Sequence, residues 1–371
     1  MASDLKSMLG GGGGKPIGAT AWFPTAGPSL IETEGRYYLR SGSLMTDEQA
    51  NYPEAFSKFD VFLDYWAGPK VTPNMYSANC AVYANGILLI GHATGRISRS
   101  TDGLTFTTID ISALFGGNNI NGLAYGAGLF VAVGTAGTIA TSPDGITWTM
   151  RTSVLSTIWI GLVYASGKFV AVADGSRSMT STDGITWTLS ASVSFATAAP
   201  KSLAYGAGMF VAVASAGVVY SSPDGIAWTL RATHPTLGTL NSVVYGLGLF
   251  VAVGAGGIIY TSPDGLVWTV GASKTSFELL SVSFGDGYFV YSSTGTTVGV
   301  SKDGLNWVAT PGSQIAPGGL MFLFSNKALL SLKGSSGGTT GAIYISTHSI
   351  GLPAGEYLGG SNMAIKYMRI K

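Results

Sequence analysis

Apolar and polar positions recur along this chain in a block of about forty residues. In one block, Asn121-Gly-Leu-Ala-Tyr125 has the alternation of a half-buried strand, and Gly126-Ala-Gly128 is a tight turn. Leu129-Phe-Val-Ala-Val133 is a nearly continuous apolar run, the mark of a strand covered on both faces. Thr135-Ala-Gly137 turns the chain again. Thr138-Ile-Ala-Thr141 then leads into Ser142-Pro-Asp-Gly, and Ile146-Thr-Trp-Thr149 leaves it. Four short antiparallel strands in one such block predict a propeller blade.

The block returns with its punctuation intact. Ser-x-Asp-Gly places Asp102, Asp144, Asp183, Asp224, Asp264 and Asp303 at intervals of 39–42 residues. Four residues after Asp stand Trp148, Trp187, Trp228, Trp268 and Trp307, with Phe106 in the first copy. Tyr83, Tyr125, Tyr164, Tyr205, Tyr245 and Phe284 each precede the first turn of a block. A degenerate seventh copy starts at Phe324 and continues through Ala328–Leu332 and Ile343–Ile345, with Ser346-Thr-His-Ser349 in place of Ser-x-Asp-Gly. The expected fold is therefore all-β: a seven-bladed β-propeller of four-stranded antiparallel blades over residues 76–350. A small N-terminal arm, 1–75, precedes it, and a C-terminal segment, 351–371, follows. Leu352-Pro353 occupies the last Trp position, so the final blade needs a strand from elsewhere. Ala364–Ile370 is the favoured donor, with segments near Trp22 or Tyr37 as the alternative. In the arm, Arg36–Gly42 reads as a short strand, and Thr46 as the cap of a helix interrupted by Pro53.

The repeated turn has a mechanical reading. Asp accepts bonds from nearby backbone N–H groups, Gly supplies positive φ, and the following Trp lies against the neighbouring blade. One carboxylate per turn, some forty residues from the next, has no convergent partner for metal binding or acid–base catalysis. The six Asp and five Trp residues are therefore read as the structural repeat.

Composition narrows the function. Charged residues make up 11% of the 371, glycine numbers 54, and net charge is +1. This suits a turn-rich β protein and disfavours nucleic acid or an anionic membrane as partner. A single cysteine, Cys80, excludes an internal disulfide framework and reads as a small buried hydrophobe. The N-terminus carries no apolar signal-peptide core, and no apolar run is long enough to insert in a membrane. His92, His234 and His348 are scattered among blocks without metal-ligand spacing. Arg96, Arg99, Arg151, Arg177 and Arg231 offer no convergent trio of the kind a sialidase requires. The expectation is no enzyme, no catalytic residue, no cofactor and no metal.

What varies between blocks is the connection from one outer strand to the next inner strand. By propeller topology these connections share one face, opposite the Asp-Gly turns. They carry Phe115, Asn118, Asn119, Trp159, Phe195, His234, Phe277 and Glu278, expected as a recognition face for glycan or protein.

Two resemblances add to this reading. The Ser-x-Asp-Gly-x-x-Trp element resembles a shortened form of the Asp-box of sialidase-type and photosystem-assembly propellers, which implies fold and no chemistry. Tyr37–Asp47 with Asn51-Tyr-Pro-Glu-Ala55, and Ile350–Gly355 with Tyr367–Lys371, resemble the flanks of tailed-bacteriophage tail-fibre and virion-attachment proteins. That resemblance implies a structural virion protein of the tail or collar, assembled in the host cytoplasm. Residues 1–75 would dock to other virion proteins, and the propeller would meet a host-surface glycan or protein. It also implies a homo-oligomer, a trimer favoured, although no heptads enforce one. The alternative is a bacterial lectin-like or assembly-scaffold propeller without catalytic activity.

Overall fold

The computed structural model describes residues 30–33, 36–39, 66–70, 318–324, 327–332, 343–346, and 78–310 apart from 104, 175–176, 191–194, 196–197, 234–237, 272–274, 286 and 296–297. The expected helix after Thr46 and the expected closing strand at 364–370 lie outside these residues. The chain divides into two compact units, Trp66–Thr347 and the combined segments Met1–Tyr65 and His348–Lys371. In the second unit Leu30–Thr33 pairs antiparallel with Arg36–Leu39, matching the short strand expected there.

The larger unit is a β-propeller of antiparallel four-stranded sheets. Blade 1 is Ala78–Ala84, Ile87–His92, Arg96–Ser100 and Thr107–Asp110. Blade 2 is Ile120–Gly126, Leu129–Gly134, Ile139–Ser142 and Thr149–Met150. Blade 3 is Trp159–Ala165, Lys168–Ala173, Arg177–Ser181 and Thr188–Leu189. Blade 4 is Pro200–Gly206, Met209–Ala214, Val219–Ser222 and Thr229–Ala232. Blade 5 is Leu240–Gly246, Leu249–Gly254, Ile259–Ser262 and Thr269–Gly271. Blade 6 is Leu279–Gly285, Tyr288–Ser293, Val298–Ser301 and Val308–Thr310.

The expected seven blades are thereby corrected to six. Each of the six is built from four consecutive strands. The C-terminal copy supplies three strands, Gly318–Phe324, Lys327–Leu332 and Ile343–Ser346, and does not complete a blade of this make. No Ser-x-Asp-Gly element follows Ile343–Ile345 in the sequence. Trp66–Lys70, from before blade 1, pairs with Ile343–Ser346 instead and makes a composite four-stranded sheet. The donor is thus neither the C-terminal segment nor a segment near Trp22 or Tyr37. Pro69 falls where the ladder is irregular, between Ala67 and Lys70, so its missing N–H costs no regular bond. The first strand of the composite sheet lies beside the first strands of blade 6 and blade 1.

The second strands form the core. Phe130, Val131, Ala132 and Val133 are all fully buried, as are their counterparts Phe210–Val213 and Phe250–Val253. Volume is traded between the second and third strands. Ala212 faces Tyr220 and Ala252 faces Tyr260, whereas in blade 6 the large residue, Tyr291, moves to the second strand and faces Gly299. A Cβ on Gly299 would collide with the Tyr291 ring. The outermost strands are short and largely exposed, which limits the free edge that other chains can pair with.

Candidate recognition face

The Asp-Gly turns bear out their mechanical reading. In blade 2 the Ser142 hydroxyl donates to Asp144 Oδ1 (3.0 Å) and accepts from Gly145 N–H (2.8 Å). The same Oδ1 accepts from Ile146 and Thr147 N–H, both at 2.8 Å. The arrangement recurs at Asp183, Asp224, Asp264 and Asp303. At Asp102, Oδ1 accepts from the Ser100 hydroxyl and Thr105 N–H, and Oδ2 from the Thr105 hydroxyl. Amide bonds favour the charged carboxylate. The N–H groups of Thr186 and then Ile185 hold Asp183 down to about 2. Asp144, Asp264 and Asp303 are lowered in the same way, led by the amides of Thr147, Leu266 and Asn306 respectively. These carboxylates are locked, ionised turn anchors.

The turns of blades 2 to 6 also dock on the preceding blade. Gly225 of blade 4 has φ +76° and sits so close to Val170 of blade 3 that an added Cβ would come within 2.5 Å of that side chain. Trp187, Trp228, Trp268 and Trp307 donate their indole N–H to the carbonyls of Gly184, Gly225, Gly265 and Gly304 at 3.1–3.3 Å. Trp148 packs with Leu89 and Ile97 of blade 1, and Trp307 with Val251 and Val253 of blade 5. The aromatic residue before each first turn has a second joining role. The rings of Tyr164, Tyr245 and Phe284 lie on Gly126, Gly206 and Gly246 of the preceding blade, where no Cβ fits. Tyr125 OH accepts from Asn85 Nδ2 at 2.6 Å, and Tyr205 OH pairs with Ser166 Oγ at 2.7 Å. The recurring Tyr-Gly dipeptide was the sequence signal for this joint.

The opposite face gathers the inter-blade connections and the turns after the second strands. Backbone bonds tie them together: Thr135 N–H to Asn119 O, Asp174 N–H to Ile158 O, Ala255 N–H to Thr239 O and Thr294 N–H to Glu278 O. Here the expected recognition residues separate. Phe115, Trp159 and Phe195 are buried, correcting their assignment as exposed anchors. Trp159 takes the register position that Ile120, Leu240 and Leu279 hold in other blades, so it is a core residue. Phe195 packs edge-on to Tyr220 at 4.9 Å and against Trp228 at 5.4 Å. Asn118 Oδ1 accepts from the Thr135 hydroxyl, and Asn118 Nδ2 donates to Phe115 O. Asn119 Oδ1 accepts from Thr94 N–H. Both amides therefore build the connection itself. Glu278 Oε1 accepts from Asn241 Nδ2 at 2.9 Å. Phe277 is 49% exposed, and the sequence had not singled out Leu114 and Ile158, exposed by 44% and 43% on the same face. His234 lies outside the described residues.

The groups considered for catalysis are held apart. Arg96 pairs with Asp110 at 3.2 Å, Arg99 Nε donates to Asp144 O, Arg151 Nε to Thr141 Oγ1 and Arg231 Nε to Ser221 Oγ. His92 is buried and bonded to Ser98 at 2.8 Å. Burial pushes the Cys80 thiol up to about 12, which suits a packed hydrophobe rather than a nucleophile. Among the described residues no three His, Cys, Asp or Glu side chains are grouped to hold a metal.

No family model matches the sequence, and no curated protein is similar to it. Solved propellers are similar in fold. YCF48 bound to D1 peptide shares 15% identity at a TM-score of 0.62, covering 77% of this chain and 97% of that one. Virginiamycin B lyase from Staphylococcus aureus with quinupristin shares 13% at 0.66, covering 76% and 99%. The RRP9 WD40 repeats share 11% at 0.60, covering 76% and 99%. At these identities the likeness is one of fold: a β-propeller body, common to enzymes and to non-catalytic scaffolds alike.

Proposed function

We propose that this protein is a non-catalytic recognition propeller of a tailed-phage virion. Residues 1–75 dock to other virion proteins, and the connection face meets a host-surface glycan or protein. The observation that carries the recognition reading is the contrast between the two faces. On the Asp-turn side the Ser, Asp and Gly of the turn recur from blade to blade and spend their polar groups on the turn itself. On the other side the connections differ and expose Leu114, Ile158 and Phe277. Side chains that vary on a rigid scaffold are the usual place for recognition. The virion assignment rests on the flanking segments, Tyr37–Ala55 and Ile350–Lys371. Several copies on one particle would convert weak contacts into avidity. A second reading, an assembly scaffold outside any virus, draws support from the peptide-bound state of YCF48, a propeller of similar fold.

The test is binding of the full chain to host cells and to glycan arrays. Phe277→Ala and Ile158→Ala are each expected to weaken binding about tenfold, or ~1.4 kcal/mol, at an unchanged unfolding midpoint. Deleting residues 1–35 is expected to abolish incorporation into particles. Incorporation without them sinks the docking role, and turnover of a fluorogenic sialoside by the purified chain sinks the non-catalytic reading.

A further inference from the structure

The rim of the propeller is not uniform. Among the described residues, eight large aliphatic side chains exposed by 38–70% fall on the Asp-turn side and outer strands of blades 4 to 6: Ile226, Leu230, Leu247, Leu266, Val267, Val270, Leu305 and Val308. On the same side blades 2 and 3 contribute Ile146 and Ile185. The difference is written in the turn. Thr147 and Thr186 stand where blades 4 and 5 carry Ala227 and Val267, and Val267 is the most exposed of all at 70%. The three blades are neighbours, and the turns of blades 5 and 6 each lean on the blade before them, Gly265 on Val211 and Gly304 on Val251. The apolar positions therefore run from blade to blade around one arc of the rim.

We propose that this arc is a self-association surface, and that its occupant is the same arc of a second copy of this chain in a two-fold dimer. Two observations choose a second copy over another partner. The first is area: eight half-exposed aliphatic side chains offer on the order of 700 Å², close to the ~800 Å² per partner that a stable interface buries. The second is charge. Arg231 and Lys302 lie in the arc together with Asp224, Asp264 and Asp303, so it carries both signs and complements itself under a two-fold axis. Asp264 holds its turn through Oδ1. Arg231 is exposed and donates from Nε to Ser221 Oγ, which stations its guanidinium in the arc as the positive partner for a carboxylate of the copy.

Sedimentation equilibrium of the full chain across nanomolar to micromolar concentrations tests this. The wild type is expected to be a dimer at micromolar concentration. Val267→Asp and, separately, Leu230→Asp are expected to weaken it at least tenfold, since each puts like charges across the axis. Ile158→Asp, on the opposite face, is expected to leave it intact. All three sites are exposed, so at nanomolar concentration, where every chain is monomeric, the thermal midpoints should stay within a degree or two of wild type, which separates assembly from folding. A wild type that is monomeric at every concentration overturns the proposal. So does a trimer or other assembly that Val267→Asp and Leu230→Asp leave intact, or one that Ile158→Asp disrupts equally.

Discussion

Single residues here carry two duties at once, and the Asp of each turn is the clearest case. Its carboxylate is ionised because it accepts backbone N–H bonds, and each such bond nets about 1 kcal/mol. For Asp183 the folded value of about 2 lies below the ~3.9 of a free side chain. The stabilisation is therefore full above about pH 4 and is lost as pH falls through about 2. Asp183→Asn keeps an acceptor and loses the charge, so its unfolding midpoint is expected to fall less steeply than wild type between pH 4 and pH 2. Parallel midpoint curves would show that this carboxylate adds nothing ionic. A second residue-scale expectation concerns Leu247, which sits at φ +49° in the turn before Gly248 with its side chain exposed. A left-handed backbone disfavours Leu and tolerates Asn. Leu247→Asn should raise the stability of the monomer by about 0.5–1 kcal/mol in denaturant titration at nanomolar concentration, and a loss would show the leucine to be packed within its own chain.

At the scale of the element, the blade is held by pairs that compensate each other. Tyr291 opposite Gly299 has the same large-and-small logic as Ala212 opposite Tyr220, with the sides exchanged. Tyr291→Ala is expected to cost about 3–5 kcal/mol as a large core truncation. Adding Gly299→Tyr to that variant rebuilds the arrangement of blade 4, and should recover at least half of the loss. Additive losses in the double variant would mean that the two sites do not share one volume. The same pairing explains a buried hydroxyl. Tyr291 OH has no bond partner among the described residues, and its burial pushes it up to about 12. Between blades, Trp187→Ala is expected to cost about 3–5 kcal/mol, because the indole fills the seam against Val131 and Phe169. Chemical denaturation measures it, and a cost under 1 kcal/mol would remove the Trp from its role as an inter-blade staple.

For the molecule as a whole, the decisive joint is the composite sheet. Its fourth strand, Trp66–Lys70, comes from the far end of the unit and covers the edge that Ile343–Ser346 would otherwise expose. Truncation through residue 65 should leave that edge paired, whereas truncation through residue 70 should bare it and lower solubility and midpoint together. Size-exclusion chromatography with thermal unfolding distinguishes the two, and equal behaviour would show that the strand is dispensable.

Much of the local architecture was legible from the chain. The period, the four strands of a blade, the Ser-x-Asp-Gly hydrogen bonds and the alternation of the two faces follow from short-range rules, since each depends on residues within one block. Three features were not legible in that way. The blade count was overestimated because a degenerate three-strand copy was counted as a blade completed by a donated strand, whereas strand donation depends on which distant segment reaches the open edge. Phe115, Trp159 and Phe195 were taken for surface anchors because a loop position does not say how far a ring folds under its own connection. Phe195 met Tyr220 and Trp228, and Trp159 took a core register position. Leu114 and Ile158 gave no local sign of facing outward. The sequence by itself determined the blade, because a blade is made of contacts close along the chain. Tertiary structure alone decided how the last sheet is completed and which side chains reach solvent, because both depend on contacts between residues far apart along it.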